Sequence, residues 1–313
     1  MFDELFSRSG LSLDRLRSFL ALTEAGSIAK AAPGDVTRQS QISRQASELE
    51  AFFGTELTER RGKSLVLSPA GQRLAMLVRQ QLQDLDDFRK EQVQVKKAFT
   101  IGAGASILDW LIIPALGAAA EALGHATLRL ETQRSSGLVE RVKDGRIDFA
   151  IVREDAIREG LPRLQLLRQS FYLCVPRRLL KPGTSAAAID NPKLWQTLPF
   201  AAGRDGGQFD LVLRQAIRDA DVDFQPAIEC NSMLQVRQLV ERGECAGVLP
   251  SAGIQGLSSK ELIIREFTPL KDYGRALALH WNERQMRRRG VDESTIKQLA
   301  AALRPAHLPT KRR

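Results

Sequence analysis

At 313 residues, with 43% hydrophobic and 27% charged side chains, the chain has an ordinary folded composition and is too long for one small core, so two or three globular units are expected. Its longest uncharged apolar run, Trp110 to Ala120, contains Pro114 and falls short of the roughly 20 residues a membrane-spanning helix needs. Net charge is +9, yet residues 11 to 70 hold eight Lys/Arg against seven Asp/Glu while residues 284 to 313 hold nine against two, so the excess sits mainly in the tail and excludes little by itself.

In chain order, Met1 to Leu11 carries Asp3 and Glu4 ahead of any basic residue. That is unlike a secretory signal, and cytoplasmic residence is expected. A first helix should run from Leu13, with Leu16, Phe19 and Leu20 on one face, Ser12 as its cap and Gly26 at its end. Ser27 can cap a short second helix of small residues, Ile28 to Ala32, which Pro33-Gly34-Asp35 breaks. Thr37 is then expected to cap a third helix with Ile42, Ala46, Leu49 and Phe53 as its apolar stripe, ending at Gly54.

The opposite face of that third helix carries Thr37, Ser40, Gln41, Arg44 and Glu48, with Gln39 and Ser43 flanking its leading end. Such side chains suit base edges: Gln can pair with adenine, Arg with guanine or phosphate, and Ser with either. A second helix packed under a third is the helix-turn-helix arrangement that lays the third in the major groove of DNA. Arg60-Arg61-Gly62-Lys63-Ser64 before the run Leu65-Val66-Leu67 is a cationic turn between short extended pieces, suited to lie along a phosphate backbone.

These residues and their spacing resemble the LysR-type transcriptional regulators. The family pattern reads here as Leu16-Arg17-x-Phe19, Glu24-Ala25-Gly26-Ser27, Ala31-Ala32, Ser43-Arg44-Gln45, Glu48-Leu49-Glu50, Phe53-Gly54 and Ser68-Pro69-Ala70-Gly71. Pro33-Gly34-Asp35 and Ser40-Gln41 depart from it. The resemblance implies an α/β protein made of an all-α winged helix-turn-helix domain (residues 11–68), a linker and dimerisation helix (69–97) and a two-lobed periplasmic-binding-protein-like (type 2) α/β effector domain (98–313). Lobe I is expected over 98–168 and 264–313, lobe II over 169–263. The implied partners are double-stranded promoter DNA with an interrupted dyad, a second copy or a tetramer of the chain, a small-molecule effector and RNA polymerase, without membrane or cofactor.

The residues themselves support that division. Ser68-Pro69 is a strong helix start. Leu74, Val78, Leu85 and Phe88 mark a near-heptad seam along a helix expected to reach about Lys96. Beyond Phe99, short apolar runs alternate with helical stretches, which predicts helix-covered parallel sheets in two lobes joined by two crossovers, the last lobe-I return beginning at Leu262. Ligands of such lobes sit where strand ends meet helix N-termini. Ser106, Ser135, Ser136, Asn231 and Ser232 fall at those junctions, and Arg153 and Arg204 could supply charge for a carboxylate.

No reactive constellation is found. The three histidines, His125, His280 and His307, show no HExxH spacing, no GxSxG is present, and Gly102-Ala103-Gly104 lacks its third glycine at Ile107. Cys174, Cys230 and Cys245 form no metal or redox spacing and read as small buried hydrophobes. The other reading open to such lobes is a periplasmic-type small-molecule receptor with no gene-regulatory role.

Overall fold

A computed structural model describes residues 2–61, 64–204 and 208–305. The chain folds as two compact units, one of residues 1–95 with 144–146 and one of residues 96–143 with 147–313.

The first unit comprises α1 (Asp3–Ser7), α2 (Leu13–Ala25), α3 (Ile28–Ala31), α4 (Val36–Phe53), the antiparallel hairpin β1 (Thr58–Arg61) and β2 (Ser64–Leu67), and α5 (Pro69–Gln92). Its helices start where short polar side chains can take a free N–H. Ser12 accepts from Arg15 N at 3.3 Å, Ser27 from Lys30 N at 3.2 Å and Ser68 from Gly71 N at 3.0 Å. The third helix starts two residues earlier than expected, because Asp35 rather than Thr37 is its cap and accepts from Arg38 N at 2.8 Å. Its inward stripe ends on buried Phe52, while Phe53 is 39% exposed and meets Phe52 edge-on. Phe19, Leu49 and Leu57 fill one small core and Leu22, Ile42 and Ala46 another, each large side chain contributing about 1.5–3 kcal/mol. The long helix stops at Gln92, short of Lys96, and its expected seam divides: Val78 is buried and Leu74 half-buried, whereas Leu85 and Phe88 stay exposed, as does Leu77 outside that seam.

The second unit runs through β3 (Ala98–Ala103), α6 (Ala105–Ile107), α7 (Leu116–Ala122), β4 (Thr127–Thr132), α8 (Ser135–Lys143), β5 (Phe149–Arg153) and β6 (Arg163–Gln169). It continues with β7 (Phe171–Pro176), α9 (Pro192–Trp195), β8 (Ala201–Gly203), α10 (Gln208–Asp219), β9 (Ile228–Cys230), α11 (Met233–Glu241) and β10 (Gly247–Pro250). Last come β11 (Leu262–Glu266), β12 (Arg275–Trp281), α12 (Glu283–Arg288) and α13 (Glu293–Ala302). Pro114 cannot donate to a helix turn, and the helical run is accordingly wide at Leu108–Ile112 and tight at Ile113–Ala115. By length and composition alone Ala105–Ala122 could cross a bilayer; here Leu108, Leu111, Ile112 and Ala119 pack into the first lobe's core with Phe99 and Ile101.

Two expectations are corrected by strand pairing. The first-lobe sheet has the order β4-β3-β5-β12-β6 and is mixed, since β12 runs antiparallel to both β5 and β6. β11 pairs with β7 in the second lobe, in the order β10-β7-β11, so residues 264–266 leave lobe I and the return crossover follows Glu266. The start of the first lobe is held by a buried ion pair. Arg289 donates to Asp148 Oδ1 at 2.6 Å and to Ala98 O at 2.7 Å, and lies over the Phe99 ring at 4.1 Å.

Candidate DNA-contacting face and ligand cleft

In the first unit the face of α4 opposite Ile42, Ala46 and Leu49 is open to solvent, with Thr37, Ser40, Gln41, Ser43 and Arg44 all exposed. Gln41 Oε1 accepts from Arg38 at 3.3 Å. Arg44 lies 3.7 Å from Glu48, which is held more closely by Arg15 at 2.5 Å, so the Arg44 guanidinium is 74% exposed and weakly tied. Gln39 differs from its neighbours: its Nε2 donates to Ala32 O at 2.8 Å and fastens the end of α3 to α4. That places Gln39 in the turn's own architecture. Arg60 and Arg61 lie in β1, and Lys63 lies outside the described residues.

In the second unit a cleft of about 450 Å³ opens between the lobes, within the range of small-molecule sites. It brings together Ser106, Ser135, Ser136, Arg153, Asn231 and Ser232. Arg204 is not among its lining residues; it follows the last residue of β8, its N–H is given to Cys230 O at 2.7 Å, and its side chain is exposed. Ser135 does more than start a helix, for its Oγ accepts from Arg153 N at 3.3 Å and joins α8 to the end of β5. Ser232 caps α11 by accepting from Leu234 N at 3.2 Å. The lobes also meet at Trp110, whose ring leaves no room for a side chain at Gly253, where a Cβ would sit 2.6 Å from it.

The cleft contains residues the sequence reading passed over: Gln133, Arg134, Gln169, Phe209, Asp210 and Arg275. Gln169 and Arg275 are register partners on β6 and β12, at the two places where the chain passes between lobes. Their signal lay in pairing, which no local pattern shows. Cys230 also faces the cleft, but burial raises its thiol, and burial pushes Cys174 up to about 12. Among the described residues no group of His, Cys, Asp and Glu could hold a metal ion.

Residues 13–72 match the model of the bacterial regulatory helix-turn-helix protein of the lysR family, and residues 92–304 match the LysR substrate binding domain. The chain belongs to the LysR family of bacterial transcription regulators. Its place in that family makes it a DNA-binding regulator and not an enzyme, and sets aside the reading as a receptor with no regulatory role. Among relatives, the LysR-family chain is 27% identical to the HTH-type transcriptional regulator PecT of Dickeya dadantii, over 60% of each chain. It is 26% identical to a probable nitrogen assimilation transcriptional activator of Synechococcus elongatus, over 82% of this chain and 84% of the relative. Its fold is similar to that of a full-length OxyR variant from Pseudomonas aeruginosa (TM-score 0.62, 20% identity, 94% of each chain). A second similar structure is full-length CbnR in complex with its target DNA (TM-score 0.56, 19% identity, covering 93% of this chain and 100% of the other).

Proposed function

We propose that this LysR-family regulator acts in the cytoplasm as a homodimer or dimer of dimers on a promoter carrying an interrupted dyad, and that a carboxylate effector in the interlobe cleft modulates its output. Thr37, Ser40, Gln41, Ser43 and Arg44 face base edges, Arg60, Arg61 and Lys63 follow the phosphate backbone, and Gln39 holds the turn. The division of labour is residues 11–68 for DNA, 69–97 for pairing and the rest for the effector, with RNA polymerase as the downstream partner.

The observation that carries the reading is the polar face of α4, five exposed donors and acceptors opposite a buried stripe. A face built only for solubility gains nothing from Ser, Thr and Gln at these positions, whereas base edges match them. Pairing is supported by Leu77, Leu85 and Phe88, exposed at 50%, 55% and 61%, which lie within about 80° of one another around the helix. Two copies joined there carry two recognition helices, and a ligand that alters the lobes couples to their spacing by about 1–3 kcal/mol.

The test is selection of duplexes from a random pool by the purified full chain, followed by footprinting with Arg44→Ala. The expected pool shows two half-sites one or more helical turns apart. Loss of one bidentate arginine contact should weaken binding about 5- to 150-fold, from roughly 1–3 kcal/mol. A pool with no enriched sequence, or equal footprints for both proteins, would overturn the proposal.

A further inference from the structure

Gln169 and Arg275 stand opposite each other on β6 and β12, and both line the interlobe cleft. Directly paired residues of antiparallel strands put their side chains on one face of the sheet, so an amide and a guanidinium share one patch of the cleft surface. Each lacks the acceptor its chemistry calls for. Gln169 is 4% exposed, and its Nε2 has no hydrogen-bond partner among the described residues, whereas buried donors are otherwise almost always paired. Arg275 donates to Tyr273 Oη at 2.8 Å and lies 5.9 Å from the centre of the Phe209 ring. No carboxylate is paired with it among the described residues, since Glu154 and Asp155, which line an adjoining hollow with it, lie instead against Arg163 at 3.5 Å and Arg153 at 3.4 Å.

The other charged residues of the cleft are engaged. Arg153 has Asp155, and both Arg134 and Asp210 already interact within the chain. One guanidinium therefore remains to balance one negative charge from outside. The surface around it is apolar. Phe171 follows Gln169 by two residues and stacks on Phe209 at 4.7 Å, while Leu277 follows Arg275 by two on the same face of β12. Phe171 and Phe209 pack with the second lobe's core, so hydrocarbon laid on them from the Gln169–Arg275 patch touches both lobes.

Resting on the proposal that the cleft is the effector site, we infer that Gln169 and Arg275 are the pair that selects the effector, and that they select a monocarboxylate with an apolar body. Its oxygens accept from Gln169 Nε2 and the Arg275 guanidinium, and its hydrocarbon lies on Phe171 and Phe209. A matched neutral amide would still offer an oxygen to Gln169 but would leave the guanidinium without its counter-charge. A second carboxylate on the body would be desolvated against phenyl rings with no uncommitted cation to meet it.

The experiment is calorimetric titration of the full chain with two matched series. One is 4-methylpentanoate, 4-methylpentanamide and 2-methylpentanedioate; the other is 3-phenylpropanoate, 3-phenylpropanamide and 4-(2-carboxyethyl)benzoate. In at least one series the monoacid should bind about tenfold or more tighter than both its amide and its diacid. Arg275→Gln should bring the acid-to-amide ratio down to about threefold or less, whereas Gln169→Met should weaken acid and amide alike, by about fivefold, and leave their ratio standing. Unliganded melting and DNA footprints of each variant check that it is folded. An amide or diacid as tight as the monoacid, a ratio untouched by Arg275→Gln, affinities untouched by Gln169→Met, or no binding in either series overturns the inference. Failure of the cleft reading has a different signature: a bound compound whose affinity is unaffected by Asn231→Trp, an exposed position on the cleft wall.

Discussion

Replacing Arg289 by methionine should destabilise the second unit by about 3–5 kcal/mol, the range for breaking a buried ion pair from one side. The side chains of Arg289 and Asp148 are 1% and 8% exposed, which sets this pair apart from surface pairs worth about 0–1 kcal/mol. Methionine keeps a long apolar stem against Phe99 but removes the N–H groups now given to Asp148 Oδ1 and Ala98 O. Asp148 would retain only neutral donors among those described, Thr100 N and Gln285 Nε2, both at 2.8 Å. The chain's three tryptophans, Trp110, Trp195 and Trp281, all lie in the second unit, so urea unfolding followed by their fluorescence reports on the affected region. A further Asp148→Leu change should return part of the loss, because it removes the stranded charge. A loss below about 1 kcal/mol for Arg289→Met would refute the claim that this pair holds β3 to the rest of the lobe.

Two further outcomes concern titration and reactivity. Burial lowers the pKa of His280, with Arg163 nearby acting in the same direction and the bond to Pro162 O opposing. The unfolded chain therefore takes up this proton first, and stability should fall as pH drops below the ordinary histidine value of about 6.5, by at most about 1.4 kcal/mol per pH unit. His280→Asn can keep the 2.7 Å contact to Pro162 O and should flatten that slope in urea midpoints compared at near-neutral and mildly acidic pH; parallel slopes would show that His280 is not the group responsible. Burial also raises all three thiols, Cys174 to about 12, so iodoacetamide at neutral pH should modify the native chain about tenfold or more slowly than the urea-unfolded chain. A thiol modified equally fast in both states would contradict the packing described for it.

What the sequence made legible was local. Ser12, Ser27 and Ser68 each cap the helix they were expected to cap, because a cap depends on one side chain and the N–H three residues on. Thr37 lost that role to Asp35 on the same local rule, an acid two places earlier that accepts from Arg38 N, three residues on. The serines at strand–helix junctions were visible as cleft residues since that junction is itself a short-range feature. β6 escaped notice: it starts directly after Pro162, and its Arg-Leu-Gln-Leu-Leu-Arg-Gln run alternates imperfectly. With β6 unread, Gln169 and its pairing with Arg275 could not be foreseen, and the lobe of β11 was decided only by its ladder with β7.

Those non-local pairings are also where the functional consequence concentrates. Gln169 is the last residue of β6 and Arg275 the first of β12, and they are register partners that both line the cleft, so the two crossings between lobes lie side by side there. Each lobe has its own core, with Phe99, Ile101 and Leu279 in one and Phe171, Trp195 and Phe267 in the other. Close-packed cores of this kind resist deformation, so under the proposed effector reading a ligand held at the crossings would have to act by moving the lobes as bodies. A ligand held by one lobe alone would bind without that motion, and binding and regulation would come apart.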